Sequence, residues 1–343
     1  MLLHPLLLAL MVTDVVGALL VLAAGVKAFK IVTGWDPSTF DRKQLQLEID
    51  LESFSLLGYW ILGLLLFSTF LFILGITNVL PCVVPGAMCG TGVMQALGEA
   101  GSRGLFLRLL ALAVLFLWLA VQRINFSRPE APLTKMSARL LLVALPVYYP
   151  ALYETFHAVL NINLPQPVSC CAVVYDQFRS LEEARSTAGL PDSVWLTGFI
   201  IGALALIISC VLVFRSRSRP KGPGAVWLAL ISGLWVPVAA VTLVRILAAY
   251  HYGVLQHHCP WCLFLAEYRL VGFPLYGALT VVAFETLIVL FLPRLTGSVT
   301  DLRPAVEHRI RSACLLIAGS AIVFVLLAAL PALYWRLRFG MWL

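Results

Sequence analysis

The chain has 343 residues, of which 61% are hydrophobic and 12% are charged. Soluble domains are about 25% charged, so this composition excludes an ordinary soluble enzyme or binding module and indicates a membrane protein. The formal net charge is +7, but Lys and Arg lie in short segments beside apolar runs, where membrane topology accounts for them. We therefore exclude nucleic-acid binding and expect contact with membrane lipid.

Apolar runs long enough to cross a bilayer, which takes about 20 residues of helix, recur along the whole chain. The runs are continuous and lack the alternation of a β-barrel, and a helix satisfies its backbone hydrogen bonds within one segment. We predict an all-α integral membrane protein with about eight transmembrane helices, at residues 6–28, 54–80, 105–121, 140–160, 194–214, 226–250, 270–292 and 313–334.

The joining segments differ in their positive charge. With eight spans, both termini lie on one side of the membrane and the even-numbered gaps share that side. Most of the 24 Lys and Arg residues lie in or beside the odd-numbered gaps, and positive charge is kept on the cytoplasmic side. We predict that both termini and the even-numbered gaps face outward. One stretch in the first gap, 44–52, alternates polar and apolar residues, which is typical of a β-strand.

Cysteines are concentrated in the gaps that this charge pattern places outside. Of the 8 Cys residues, most form close pairs in the even-numbered gaps: Cys82 with Cys89, Cys170 with Cys171, and Cys259 with Cys262. The outer face of a bacterial inner membrane permits disulfides, so the pairs predict disulfide chemistry or metal binding at that location. Cys210 and Cys314 fall inside predicted spans, where we expect small hydrophobes in a helix interface.

The motif Cys259-Pro-Trp-Cys262 carries the strongest signal. A C-x-x-C pair closes a small disulfide ring, and we expect Cys259 to begin a helix that runs on through 263–269. The N-terminus of that helix would stabilise the thiolate that attacks in disulfide exchange. His257 and His258 stand directly before the motif and would stabilise it further as cations. The alternatives are a structural disulfide, or zinc or copper held by His257, His258, Cys259 and Cys262.

The sequence allows more than one role for each of the other two cysteine pairs. Adjacent cysteines bond to each other only with strain, so we expect one of Cys170 and Cys171 to exchange with the C-x-x-C pair and the other to face a partner. A pair of buried thiols is the alternative. Cys82 and Cys89 would be a further relay pair or a structural disulfide, and Met88 nearby makes copper a third option.

The stretch 140–292 resembles the vitamin K epoxide reductase family. That family has a four-helix core with a cysteine pair in an outer loop, then a Gly-x-Pro turn, then C-x-x-C at the fourth helix. The matching residues here are Cys170 and Cys171, Gly189-Leu-Pro191, and Cys259-Pro-Trp-Cys262. The resemblance implies a four-helix bundle in the second half of the chain and quinone reduction coupled to disulfide formation. We accordingly expect a three-helix region at 1–135, a redox-like region at 136–295 and a C-terminal helix at 296–343.

The resemblance also implies an electron path. Cys170 and Cys171 would receive electrons from a thioredoxin-like protein on the outer face, and Cys259 and Cys262 would pass them to a quinone. The function that we predict is therefore a membrane thiol–disulfide oxidoreductase of the bacterial inner membrane. The alternatives are an outer-face membrane protein that handles copper or zinc, and a structural membrane subunit of a respiratory complex.

Several polar residues fall inside predicted spans, where charge is costly and often functional. Arg245 would either hold a quinone carbonyl or extend to the headgroups. Tyr153 and His157 share one helix face and would line a quinone pocket or proton path, or form an interfacial aromatic belt. We expect Asp14 and Glu285 each to pair with another helix.

Overall fold

The computed structural model describes residues 4–39, 41–162, 168, 191–215, 223–254, 257–295 and 299–342, and these form helices, turns and loops without a strand. Eight helices in this part of the chain are long and apolar enough to cross a membrane. This confirms the all-α prediction and is compatible with a multi-pass membrane protein. The helices are α1 Pro5–Gly34, α2 Arg42–Cys82, α3 Gly90–Asn125, α4 Thr134–Leu160, α5 Asp192–Arg215, α6 Gly224–Tyr252, α7 Gly272–Leu295 and α8 Arg303–Phe339.

The strand expected at 44–52 is wrong, because these residues form the first turns of α2. Asp41 caps this helix by accepting a hydrogen bond from the Gln44 backbone N–H at 2.9 Å. Gln44, Leu51 and Phe54 are buried at helical spacing along α2. A good N-cap and the long apolar run that follows therefore outweigh a short alternating pattern.

The fold separates into two compact units. The first contains Met1–Gly75, Met94–Asn163 and Phe291–Glu307, and the second contains Ile76–Val93, Leu164–Leu290 and His308–Leu343. In the first unit α1 packs against both α2 and α4. The expected boundaries at 135 and 295 therefore do not coincide with these units, since the fourth helix packs with the first helices of the chain.

A buried ion pair lies at the centre of the first unit. Arg108 of α3 is fully buried and pairs with Asp14 of α1, as expected for an acid inside a span. Its guanidinium also donates to Ser68 Oγ at 2.8 Å and to Thr155 Oγ1 at 3.0 Å, and it lies over the Phe72 ring. Side chains from four helices thus meet at one guanidinium. The paired carboxylate and the two hydroxyls offset the cost of burying its charge among apolar side chains.

The second unit has an aromatic core between α5, α6 and α8. Phe199 stacks on Trp235 at 6.0 Å between ring centroids, and Phe324 contacts both rings edge-on. The Trp235 indole donates to the Phe199 carbonyl at 3.0 Å. Glu285 of α7 forms an ion pair with Arg309 of α8, which again pairs an acid inside a span as expected.

Candidate functional site

Three buried cysteines converge in the second unit. The Sγ atoms of Cys89, Cys259 and Cys262 all lie within 4.8 Å of one another. Cys89 and Cys259 are each 1% exposed and Cys262 is 5% exposed. The Cys89 and Cys259 sulfurs are 3.5 Å apart. At that distance the sulfurs are in contact, so a bond between them requires only a small local movement.

The C-x-x-C motif does not begin a helix, and the helix expected from Cys259 through 263–269 is wrong. A 3₁₀ turn at Cys262–Phe264 is followed by Leu265 in an extended conformation and a second 3₁₀ turn at Ala266–Tyr268. Arg269 and Leu270 have φ values of 58° and 56°, and left-handed residues cannot continue a right-handed helix. The spanning helix α7 starts at Gly272, so Cys259 receives no stabilisation from a helix N-terminus.

The helix N-terminus at this site belongs to Cys89. The Cys89 carbonyl accepts the first helical hydrogen bond of α3, from the Val93 N–H at 3.4 Å, which puts Cys89 in the N-cap position. Backbone N–H groups at a helix start favour a nearby anion, including a thiolate. The stabilisation that the sequence assigned to Cys259 is therefore available to Cys89 instead.

Gly90 permits the close approach of this loop to the C-x-x-C motif. A Cβ at position 90 would lie 2.9 Å from the Trp261 Cβ and 3.1 Å from the Ile76 Cγ2. Both distances are shorter than ordinary van der Waals contact. A side chain at position 90 would therefore push the Cys89 loop away from Cys259.

Polar groups around Cys259 hold both its thiol and its backbone. The Thr91 hydroxyl lies 3.1 Å from the Cys259 sulfur. The Tyr252 hydroxyl donates to the Cys259 carbonyl at 2.5 Å. These contacts fix the position of Cys259 relative to Cys89 and place a hydroxyl where it can donate to a thiolate.

The two histidines before the motif make other contacts. His258 is buried, and its Nδ1 lies 3.2 Å from the Val244 carbonyl. The His257 ring packs edge-on against Tyr252 at 4.5 Å between centroids. Among the Cys, His, Asp and Glu side chains that the structure describes, the group close enough together to hold one metal ion consists of Cys89, Cys259 and Cys262. The alternative metal set of His257, His258, Cys259 and Cys262 is therefore not the group that the structure brings together.

Aromatic rings pack beside the cysteines. Tyr252, Trp261 and Tyr268 contact the cluster, and Phe264 stacks on Tyr276 at 5.3 Å between centroids. The Asn78 amide, which donates to the Phe264 carbonyl at 3.5 Å, adds a polar group. The cysteine cluster therefore has aromatic rings and polar side chains packed around it.

The remaining expected site residues are distributed over both units. Cys82 is exposed at the end of α2, whereas Cys89 is buried in the cluster. Arg245 belongs to the second unit and pairs with Asp192, with Nη2 and Oδ1 2.9 Å apart. Tyr153 and His157 belong to the first unit, where their rings stack at 5.9 Å. Cys170, Cys171 and Gly189 lie outside the described residues.

Sequence spacing identified Cys259 and Cys262 but not the residues that meet them. Proximity in the chain pairs Cys89 with Cys82, and no sequence pattern indicates Thr91 or Tyr252. The run Cys89-Gly-Thr-Gly carried a usable signal, since glycines beside a cysteine allow close approach of another backbone.

Comparison of this chain with protein-family models, with curated proteins and with solved structures found no match. The resemblance to the vitamin K epoxide reductase family therefore stays a prediction, and the function is argued below from the cysteine cluster and its surroundings.

Proposed function

We propose that this protein is a membrane thiol–disulfide oxidoreductase that couples its cysteines to quinone. The observation that carries the proposal is the 3.5 Å contact between the Cys89 and Cys259 sulfurs, with Cys262 in the same buried cluster. A buried nucleophile in contact with one sulfur of a C-x-x-C pair is the geometry that disulfide exchange requires.

The exchange step conserves electrons between the three sulfurs. The Cys89 thiolate attacks the Cys259 sulfur of a Cys259–Cys262 disulfide. The bond between Cys259 and Cys262 breaks, a Cys89–Cys259 bond forms, and Cys262 leaves as a thiolate. The N-terminus of α3 stabilises the attacking thiolate on Cys89. When the Cys259–Cys262 pair is reduced, Thr91 is placed to donate a hydrogen bond to a thiolate on Cys259.

Quinone is the proposed final oxidant. A bound quinone would supply the oxidant, taking up the two electrons and two protons that the Cys259 and Cys262 thiols release as they become a disulfide. Trp261, which precedes Cys262 in the chain and is partly exposed, offers a flat face against which the headgroup would lie. The burial of all three sulfurs excludes water and external oxidants from the cluster.

Electrons would enter from a thioredoxin-like thiol protein on the outer face of a bacterial inner membrane. Cys170 and Cys171 remain the proposed entry pair, and the cluster would lie on the same face. This arrangement requires both termini to be outside, as the distribution of Lys and Arg predicts.

The proposal is tested by trapping the exchange intermediate. Membranes containing wild type, Cys262→Ala or Cys89→Ser would be incubated with and without a short-chain quinone. Cysteines would then be counted with a mass-tagged alkylating reagent after acid quenching. We expect Cys262→Ala to accumulate a Cys89–Cys259 disulfide, found as a cross-linked peptide by mass spectrometry. Cys82→Ser is the matched control and should leave the cluster unchanged.

Two outcomes would overturn the proposal. The first is a cluster whose oxidation state does not respond to quinone in wild type. The second is the absence of a Cys89–Cys259 peptide in Cys262→Ala under oxidising conditions. Either result would favour a structural role for these cysteines.

The same geometry supports a second candidate function, the binding of a soft metal ion. Three thiols within 4.8 Å of one another match the ligands that zinc and monovalent copper prefer. This function predicts metal that copurifies with the protein and thiols that become taggable only after chelation. Metal analysis before and after chelation separates it from exchange.

A further inference from the structure

The last turns of α8 are exposed on every side. Residues 333–342 are exposed, apart from Trp335, which is half-buried. Leu337 is 86% exposed, more than any other large apolar side chain in the described part of the chain, and Met341 is 64% exposed. This end of the helix therefore presents a largely apolar surface that no other described element of the protein covers.

The length of the uncharged part of α8 places this end at the level of the lipid headgroups. Residues 312–335 carry no charged side chain, and Arg311 and Arg336 flank them. A helix of that length rises about 36 Å, whereas the hydrocarbon core of a bilayer is about 30 Å thick. When α8 spans a bilayer, Arg336 and Arg338 therefore lie just beyond the hydrocarbon core, at the depth of the phospholipid phosphates.

Arg336 is held in place by the chain that follows the helix. Gly340 has a φ of 73°, a left-handed conformation that ends α8 and turns the chain back. The Arg336 guanidinium donates to the Gly340 carbonyl and lies over the Trp342 ring, 5.7 Å from its centroid. A guanidinium stacked on an aromatic ring has less conformational freedom to lose when it binds an anion.

Arg338 is held in a similar way by two rings of the helix itself. Its guanidinium lies 5.4 Å from the Phe339 centroid and 6.0 Å from the Tyr334 centroid, and it donates to the Tyr334 hydroxyl at 3.2 Å. Capping of the helix end accounts for the bond from Arg336 to a main-chain carbonyl. It does not account for Arg338, whose hydrogen bond goes to a side chain.

Both guanidinium groups keep donors for a ligand. An arginine side chain has five N–H donors, and in the described structure Arg336 and Arg338 each use one nitrogen for the hydrogen bonds above. The sequence contains no Asp or Glu after Glu307, so no carboxylate of this part of the chain competes for them. Cations with spare N–H groups match a phosphate, which accepts several hydrogen bonds at once.

We propose that the end of α8 is a binding surface for anionic phospholipid, with one lipid phosphate held by Arg336 and another by Arg338. Residues two apart in a helix point to different sides, so the two arginines contact different lipid molecules. Tyr334 and Trp342 lie at the depth where aromatic rings are enriched in membrane proteins. The inference rests on α8 spanning the membrane and does not depend on the cysteine chemistry of the proposed function.

The apolar side chains beside the arginines favour a lipid over free phosphate. Inorganic phosphate would contact a guanidinium and leave Leu337 and Met341 in water. A phospholipid brings its phosphate to the arginine and its acyl chains to the apolar surface. A net negative headgroup is favoured over a zwitterionic one, because the ammonium group of the latter would meet two cations.

The test counts lipid adducts on the purified protein by native mass spectrometry. Short-chain phosphatidylglycerol is titrated into the protein in a neutral detergent, and short-chain phosphatidylcholine is the zwitterionic comparison. We expect two sites that prefer phosphatidylglycerol, and we expect Arg336→Gln and Arg338→Gln each to weaken one of them by about fivefold, the contribution of one arginine near an anionic surface. Arg303→Gln is the matched control and should change neither site, because that exposed arginine is already paired with Glu307.

Three results would overturn the inference. The first is a double variant, Arg336→Gln with Arg338→Gln, that binds phosphatidylglycerol as wild type does. The second is equal affinity of wild type for phosphatidylglycerol and phosphatidylcholine. The third is displacement of the lipid by inorganic phosphate, which would assign the arginines to a free anion. Circular dichroism of each variant, with helicity equal to wild type, shows that a loss of binding does not come from unfolding.

Discussion

Gly90→Ala tests whether close approach of the Cys89 loop sets the rate of exchange. The added Cβ would meet the Trp261 Cβ at 2.9 Å, the Trp261 Cγ at 3.0 Å and the Ile76 Cγ2 at 3.1 Å, where carbon atoms ordinarily lie about 3.5–4.0 Å apart. The loops must therefore separate by about 0.5–1 Å. Alanine gains about 1 kcal/mol over glycine in a helix, which partly offsets an overpacking cost of about 1–3 kcal/mol.

The predicted effect falls on the rate more than on stability. A misplacement of about 1 Å between reacting atoms costs up to about 100-fold in rate, so we expect Cys89–Cys259 bond formation to slow by about 10- to 100-fold. The rate would be measured by mass tagging in the Cys262→Ala background. Gly277→Ala is the matched control, because a Cβ at position 277 meets nothing within 4 Å. Bond formation at an unchanged rate in Gly90→Ala would refute the close-approach argument.

Two further substitutions test contacts of the same structure. Thr91→Val removes the hydroxyl 3.1 Å from the Cys259 sulfur. Since a hydrogen bond to a charged group contributes about 1.5–3 kcal/mol, we expect quinone-dependent oxidation of the reduced Cys259–Cys262 pair, which begins from the Cys259 thiolate, to slow by about tenfold or more. An unchanged rate would exclude Thr91 from the chemistry. Arg108→Met leaves Asp14 buried without its cation. This change should lower the free energy of unfolding in detergent by about 3–5 kcal/mol. The double variant Arg108→Met with Asp14→Leu should recover much of that loss, and equal instability of the single and double variants would contradict the ion-pair argument.

The spans could be predicted from the sequence because the requirement that produces them is local. A segment in lipid must satisfy its own backbone groups and be apolar over about 20 residues, and both conditions are visible in a single run. The positions of the helix ends were harder to predict from the sequence. The third span was expected from residue 105, but α3 starts at Gly90. Its first residues form a short segment that ends at Gly98, where φ is 65° and the backbone is not helical.

The cysteine contacts could not be predicted, because they depend on tertiary structure. Cys89 and Cys259 are 170 residues apart in the chain, and nothing in their spacing indicates that their sulfurs meet. Closeness in sequence instead suggested a pairing of Cys89 with Cys82.

Exchange and metal binding use the same three cysteines, so the decisive difference lies in how single substitutions affect them. A metal held by three equivalent thiolates should lose affinity when any one of Cys89, Cys259 or Cys262 is replaced by serine. Exchange is asymmetric, because Cys89 attacks and Cys262 leaves. We therefore expect Cys89→Ser to retain a Cys259–Cys262 disulfide that still responds to quinone, whereas Cys259→Ser should abolish both the Cys259–Cys262 and the Cys89–Cys259 bonds.

One experiment on the three serine variants measures whether the three cysteines have different roles. Mass tagging gives the oxidation state of the remaining cysteines, and metal analysis of the same preparations gives the bound zinc and copper. Equal loss of metal in all three variants, together with no quinone response in Cys89→Ser, would establish a metal centre and overturn the oxidoreductase. A retained quinone response in Cys89→Ser alone, without bound metal, would assign Cys259 and Cys262 to the quinone and Cys89 to the incoming electrons.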